Sequence, residues 1–159
     1  MHLANYCSDE EWKRIKKLAD TKETPFLVVD LEIIKQKYEE LTTCFPMAKV
    51  HYALKANPGK PVIELLRDLG SNFDIASIYE LDKVLVAGVH PDRISYGNTI
   101  KKAAHIKYAY DKGIRLFATD SKADLQSIAE NAPGSKIFVR ILVEGGETAE
   151  WPLSRKFGC

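Results

Sequence analysis

Two rhythms of apolar residues alternate along most of this chain. Short β-rich runs are centred at Tyr52, Phe73, Ile94, Leu116 and Phe138, with separations of 21, 21, 22 and 22 residues. Val50 to Leu54 is typical: apolar, and too short for a helix, so it predicts a buried strand. Between these runs the apolar residues recur at helical spacing. Pro61 opens Val62, Ile63, Leu65, Leu66 and Leu69, and Gly70 ends the pattern. Ser77 opens Ile78, Leu81, Val84 and Leu85, and Gly88 ends it. Ile100 to Lys112 carries Ala103, Ile106 and Tyr110 on one face and stops at Gly113. Ser121 opens Leu125, Ile128 and Ala129, and Pro133-Gly134 closes that segment. Serine at helix starts and glycine at helix ends is the punctuation expected of regular βα units.

The first part of the chain lacks this period. Residues 1–23 are polar, with Trp12, Ile15 and Leu18 as a single apolar stripe that predicts at most a surface helix. Thr24-Pro25 leads into Phe26-Leu27-Val28-Val29, which reads as a strand. Asp30 is placed as an N-cap for a helix carrying Leu31, Ile34, Tyr38 and Leu41, which stops near Phe45-Pro46.

Five strands alternating with four helices at constant period imply parallel strands joined by right-handed crossovers. The expected fold class is α/β, a parallel (βα) barrel of TIM type. A doubly wound sheet has the same local signature, although no GxGxxG follows the first strand. A closed barrel needs eight strands and about 250 residues. The expectation is therefore an incomplete barrel over residues 24–159, preceded by a polar segment over residues 1–23, with no carboxy-terminal β-domain.

Composition narrows the function classes. With 23 basic and 22 acidic residues the net charge is +1, and both signs are interspersed, which argues against a nucleic-acid groove. No stretch approaches the roughly 18 apolar residues that span a bilayer, and no signal peptide is recognisable at the start. Cys7, Cys44 and Cys159 are far apart and odd in number, which fits a reducing cytoplasm better than a disulfide framework or a zinc site. His51, His90 and His105 form no metal-ligand pair and read as structural or exposed.

Candidate chemistry concentrates at Lys55. It follows the first buried run and precedes Ala56-Asn57-Pro58, where the chain must leave the sheet. The carboxyl ends of parallel strands are where α/β folds place their sites. An amine held there and desolvated can attack a carbonyl as a Schiff-base lysine. A lysine that merely finishes a strand in solvent has the same spacing.

A set of ordered motifs separates these readings. Pro25-Phe26-Leu27-Val28-Val29-Asp30, Tyr52-Ala53-Leu54-Lys55-Ala56-Asn57, Phe73-Asp74-Ile75-Ala76-Ser77 and Val139-Arg140-Ile141 occur in this order. With Tyr96 to Lys101, His105 to Ala109 and Ala149 to Gly158, they resemble the amino-terminal half of the pyridoxal-phosphate decarboxylases of the alanine-racemase-like barrel type. The ornithine decarboxylases, including bacterial enzymes that take ornithine or lysine, are the nearest branch. The resemblance covers roughly residues 24–159; residues 1–23 match nothing useful.

The resemblance implies that Lys55 carries the cofactor, pyridoxal 5'-phosphate, through its amine. It implies that Asp74 is a catalytic carboxylate near that lysine and that Arg140, set among apolar residues on the fifth strand, faces the cofactor. It also aligns Lys156 with a loop lysine beside the site. Glu80 lies in a family-like position, but Ser77-x-x-Glu80 is a capping box, which accounts for it without a role in the site. Asn98 is expected to shape the loop after the third strand.

The implied reaction is decarboxylation of a basic amino acid, ornithine or lysine, to a diamine of polyamine synthesis by a cytoplasmic homodimer. In such enzymes the ring-stacking histidine, the phosphate-cradling glycine loop and the acid at the pyridine nitrogen belong to the second half. The 159-residue chain alone is therefore expected to turn over nothing measurable. Two alternatives share the motifs: diaminopimelate decarboxylase, and a decarboxylase-like protein that binds partners without catalysis.

Overall fold

Five parallel strands lie in the order of the sequence, β1 (His51–Ala53), β2 (Asn72–Ile75), β3 (Ile94–Tyr96), β4 (Leu116–Thr119) and β5 (Lys136–Val139). Each consecutive pair is joined through a helix: α3 (Lys60–Asp68), α4 (Ile78–Val86), α5 (Ala103–Asp111) and α6 (Lys122–Asn131). A doubly wound sheet reverses its strand order at a switch point, whereas this sheet runs in one direction throughout, as the strands of a (βα) barrel do. The computed structural model of the protein describes residues 8–143 and 158–159. Two compact units divide the chain, residues 1–30 and residues 31–159.

In the first unit, α1 (Asp9–Ala19) opens on a reciprocal cap. Ser8 Oγ accepts from Glu11 N at 3.3 Å while Glu11 Oε2 accepts from Ser8 N at 2.6 Å. Acidic residues fill its first turn and Lys16 and Lys17 its last, matching the helix dipole. The strand expected at Phe26–Val29 is absent; the sheet begins at β1. A β-rich run becomes a strand only when another strand pairs with it. Here Leu27 and Val29 are exposed instead.

The second unit starts with α2 (Leu31–Cys44). Its core lies between the sheet and the helices α3 to α6. Alternation along each strand sends Phe73, Ile75, Ile94, Tyr96 and Phe117 to the helix side, where all are buried. They meet Ile63 and Leu66 of α3, Leu81 and Val84 of α4, Ile106 of α5 and Ile128 of α6. Tyr96 and Phe117 stack with centroids 6.0 Å apart. Each such side chain contributes about 1.5–3 kcal/mol on burial, so this layer dominates the stability of the unit.

The helix ends repeat one device. Gly70, Gly88 and Gly113 adopt φ of 91°, 82° and 96° after α3, α4 and α5. The next N–H then reaches back five residues to a helix carbonyl: Ser71 to Leu66, Val89 to Val84 and Ile114 to Ala109. This is the Schellman closure, and it ends each of these helices before the chain turns towards the next strand. Serine side chains at positions 77 and 121 cap α4 and α6.

Candidate active site

Strand register sets the polar face. Ala53 pairs with Asp74 and Asp74 with Ser95, so these three residues form one row across β1, β2 and β3 on the face away from the helices. Two positions earlier on β1 stands His51. Two positions later, Lys55, Ala76 and Gly97 continue the same face past the carboxyl ends of the strands.

Lys55 lies in a short 3₁₀ turn, Leu54–Ala56, rather than within the strand, and its side chain is exposed. The desolvated, strand-held position expected for it is thus corrected in both respects. The strand ends at Ala53, and Leu54, not Lys55, enters the core. Arg140 likewise follows β5 instead of belonging to it. Its backbone N–H still donates to Thr119 O at 2.9 Å, extending the ladder by one bond, and its Nη2 donates to Gly97 O at 3.5 Å.

Lys55, Asp74 and Arg140 are brought together around one cavity of about 200 Å³, which Glu80, Gly97 and Asn98 also line. Lys156 lies outside the described residues. Glu80 is the residue that sequence reasoning set aside. Ser77 Oγ does accept from Glu80 N at 3.3 Å, but Glu80 Oε2 accepts from Ala76 N at 2.6 Å, one residue before the cap. The carboxylate therefore lies over the end of β2, beside the cavity. Its place in the first turn after a barrel strand was the signal available.

Asp74 is the electrostatic centre of the cavity. Burial pushes its carboxyl above the usual range, against the hydrogen bond from Ser95 and the fields of His51, Lys55 and Arg140. Ser95 Oγ donates to Asp74 Oδ1 at 2.6 Å. Gly97 leaves the room the carboxylate occupies; a side chain there would place Cβ 2.6 Å from the carboxyl carbon. Neither Ser95 nor Gly97 was singled out from sequence, yet Ser95 follows Asp74 by 21 residues, the strand period itself.

The loop after β3 is fixed independently. Asn98 Nδ2 donates to Ala76 O at 3.2 Å, tying the ends of β2 and β3, as expected of a loop-shaping residue. Lys101 Nζ donates to Asn98 O at 2.9 Å, to Ala118 O at 2.7 Å and to Asp124 Oδ2 at 2.8 Å. All three of its protons are thereby used inside the protein.

The donor set fits pyridoxal phosphate at its aldehyde end: one primary amine, two carboxylates and a guanidinium border a single cavity. Similarity to known proteins points the same way. The chain is 37% identical over 147 residues to a lysine/ornithine decarboxylase from Selenomonas ruminantium, covering 92% of this chain and 37% of that protein. It is 34% identical over 134 residues to antizyme inhibitor 2 from Xenopus laevis, covering 84% of this chain and 29% of that protein. Among solved structures, the Paramecium bursaria Chlorella virus arginine decarboxylase superposes with a TM-score of 0.84 at 30% identity, over 95% of this chain and 41% of that one. The chain thus spans about a third of the length of the curated relatives it matches. A family model described as pyridoxal-dependent decarboxylase, pyridoxal binding domain, matches residues 31–159, and the chain belongs to that family.

Proposed function

We propose that this chain supplies the cofactor-attaching part of a decarboxylase acting on a basic amino acid, ornithine or lysine, to give a diamine for polyamine synthesis. The observation that carries the reading is the convergence of Lys55, Asp74 and Arg140 on one cavity at the carboxyl ends of parallel strands. Similarity to a lysine/ornithine decarboxylase supports the substrate class.

Pyridoxal phosphate, when bound, supplies an aldehyde to an amine and a ring that takes up the electrons of the bond broken to CO₂. Lys55 Nζ, the amine that lines the cavity, would hold the cofactor through its aldehyde. Asp74, whose protonated form burial favours, holds or releases a proton at its carboxyl oxygens within the field of Lys55. Arg140, which lines the same cavity, would orient the group through its guanidinium. Ring stacking and the phosphate cradle are assigned to parts beyond Cys159, and the complete enzyme is a cytoplasmic homodimer.

A chimaera tests the reading: residues 31–159 replace the matching stretch of the Selenomonas relative. Release of CO₂ from carboxyl-labelled ornithine or lysine, lost on Lys55→Ala, is expected. A folded, cofactor-loaded chimaera without turnover would contradict it. A second reading, a non-catalytic binding protein, is favoured by the likeness to a protein named as an inhibitor. Retention of Lys55, Asp74 and Arg140 around one cavity weighs against it.

A further inference from the structure

Behind Asp74, on the side away from Lys55, a second cavity of about 430 Å³ is lined by His51, Ala53, Asp74, Ser95, Leu116 and Phe138. Asp74 borders both cavities, and two polar side chains stand in line behind it. His51 Nδ1 lies 3.1 Å from Ser95 Oγ, and Ser95 Oγ lies 2.6 Å from Asp74 Oδ1. His51 and Ser95 are 44 residues apart in sequence and meet only through strand register.

Proton counting gives the chain a direction. The Ser95 hydroxyl has one proton and three acceptors in reach: Asp74 Oδ1 at 2.6 Å, Phe73 O at 3.4 Å and, when unprotonated, His51 Nδ1 at 3.1 Å. The shortest separation, to Asp74, lies in the range of a hydroxyl bonded to an ionised carboxylate. With that proton committed to Asp74, the Ser95 oxygen can only accept from His51, so the imidazole proton must sit on Nδ1.

We propose that Ser95 and His51 are positioning residues of this site, a relay in which His51 Nδ1–H donates to Ser95 and Ser95 donates to Asp74, holding that carboxylate oriented and ionised beside Lys55. The relay opposes the burial that favours the neutral acid. If Asp74 takes a proton on Oδ1, every donor in the line reverses and the His51 proton moves to Nε2. Among the described residues, the charged and titratable groups that face Asp74 are His51 and Lys55 from β1 and its turn, Glu80 from α4 and Arg140 beyond β5. Among the described residues lining the second cavity, Asp74 is the charged group that faces His51. What Asp74 is held ionised for rests on the decarboxylase reading; the relay itself does not.

The test is ¹⁵N NMR of the His51 ring in the purified protein at about pH 8, where a histidine is ordinarily neutral. The Nδ1–H tautomer is expected, and an Nε2–H signal would overturn the relay. Ser95→Ala should return His51 to Nε2–H and make the Asp74 ¹³C carboxyl signal titrate at higher pH, while Ser95→Thr should restore both. An Asp74 titration unmoved by Ser95→Ala would also overturn it. These readouts need no cofactor. A relay present in a protein that takes up no pyridoxal phosphate would sink the decarboxylase reading alone, and a cofactor-loaded protein with His51 as Nε2–H would sink the relay alone.

Discussion

Lys101 and Asp124 form a buried ion pair, Nζ to Oδ2 at 2.8 Å, with side-chain exposures of 0% and 9%. Burial draws the Lys101 amine below its usual range despite the opposing pull of Asp124. The pair links the loop after β3, which carries Gly97 and Asn98, to the first turn of α6. Removing one partner of such a pair leaves an uncompensated charge, which costs about 3–5 kcal/mol. Lys101→Met should therefore lower unfolding stability by about that much, and Lys101→Met with Asp124→Leu should recover the part due to the stranded carboxylate. Urea unfolding measures both; a single variant within about 0.5 kcal/mol of the parent would contradict a structural role for the pair.

Asp74 makes a pH-dependent contribution whose sign is fixed. Its folded-state carboxyl titrates above the ordinary 3.8, so the folded state binds the proton more tightly than the unfolded chain. Its stabilising contribution is complete below that ordinary value and is lost as pH rises through the folded value. Asp74→Asn keeps an oxygen for Ser95 to donate to and carries no charge. The variant should be more stable than the parent at neutral pH, with the difference vanishing in acid. Thermal unfolding across a pH series checks this, and a difference that grows towards acid would show the sign to be wrong.

Helix-side packing should outweigh surface apolar residues. Phe117 is fully buried against Tyr96, whereas Val86 is 85% exposed although it too is apolar. Phe117→Ala should cost about 3–5 kcal/mol. Val86→Ala should change stability by no more than about 0.5 kcal/mol. Denaturant midpoints at constant slope distinguish the two, and comparable losses would mean that the core is misplaced.

The sheet was legible because one signal repeats. Apolar runs 21 or 22 residues apart, the first four each followed by a helical pattern that ends at glycine, define parallel βα units without any knowledge of contacts. Phe26–Val29 carries the same local signal, but a strand needs a pairing partner, and composition does not report one. Lys55, Asp74 and Arg140 were identifiable at strand ends. Their environment was not: Lys55 falls one turn past its strand, and that depends on where the ladder hydrogen bonds stop. Glu80 was hidden by its capping role, since one serine–glutamate spacing describes both a cap and a carboxylate over the strand end. The His51–Ser95–Asp74 line joins three strands and depends on register, which a single-chain pattern shows only when the strand period is applied to polar residues as well.

The central claim is that Lys55 is the residue to which the cofactor is attached. The direct measurement is borohydride reduction of the protein incubated with pyridoxal phosphate, followed by proteolysis and peptide mass mapping. A reduced pyridoxyl group on the peptide containing Lys55, absent from Lys55→Ala, is the predicted result. Label spread over surface lysines, or fixed on another lysine with Lys55 unmodified, would contradict the account.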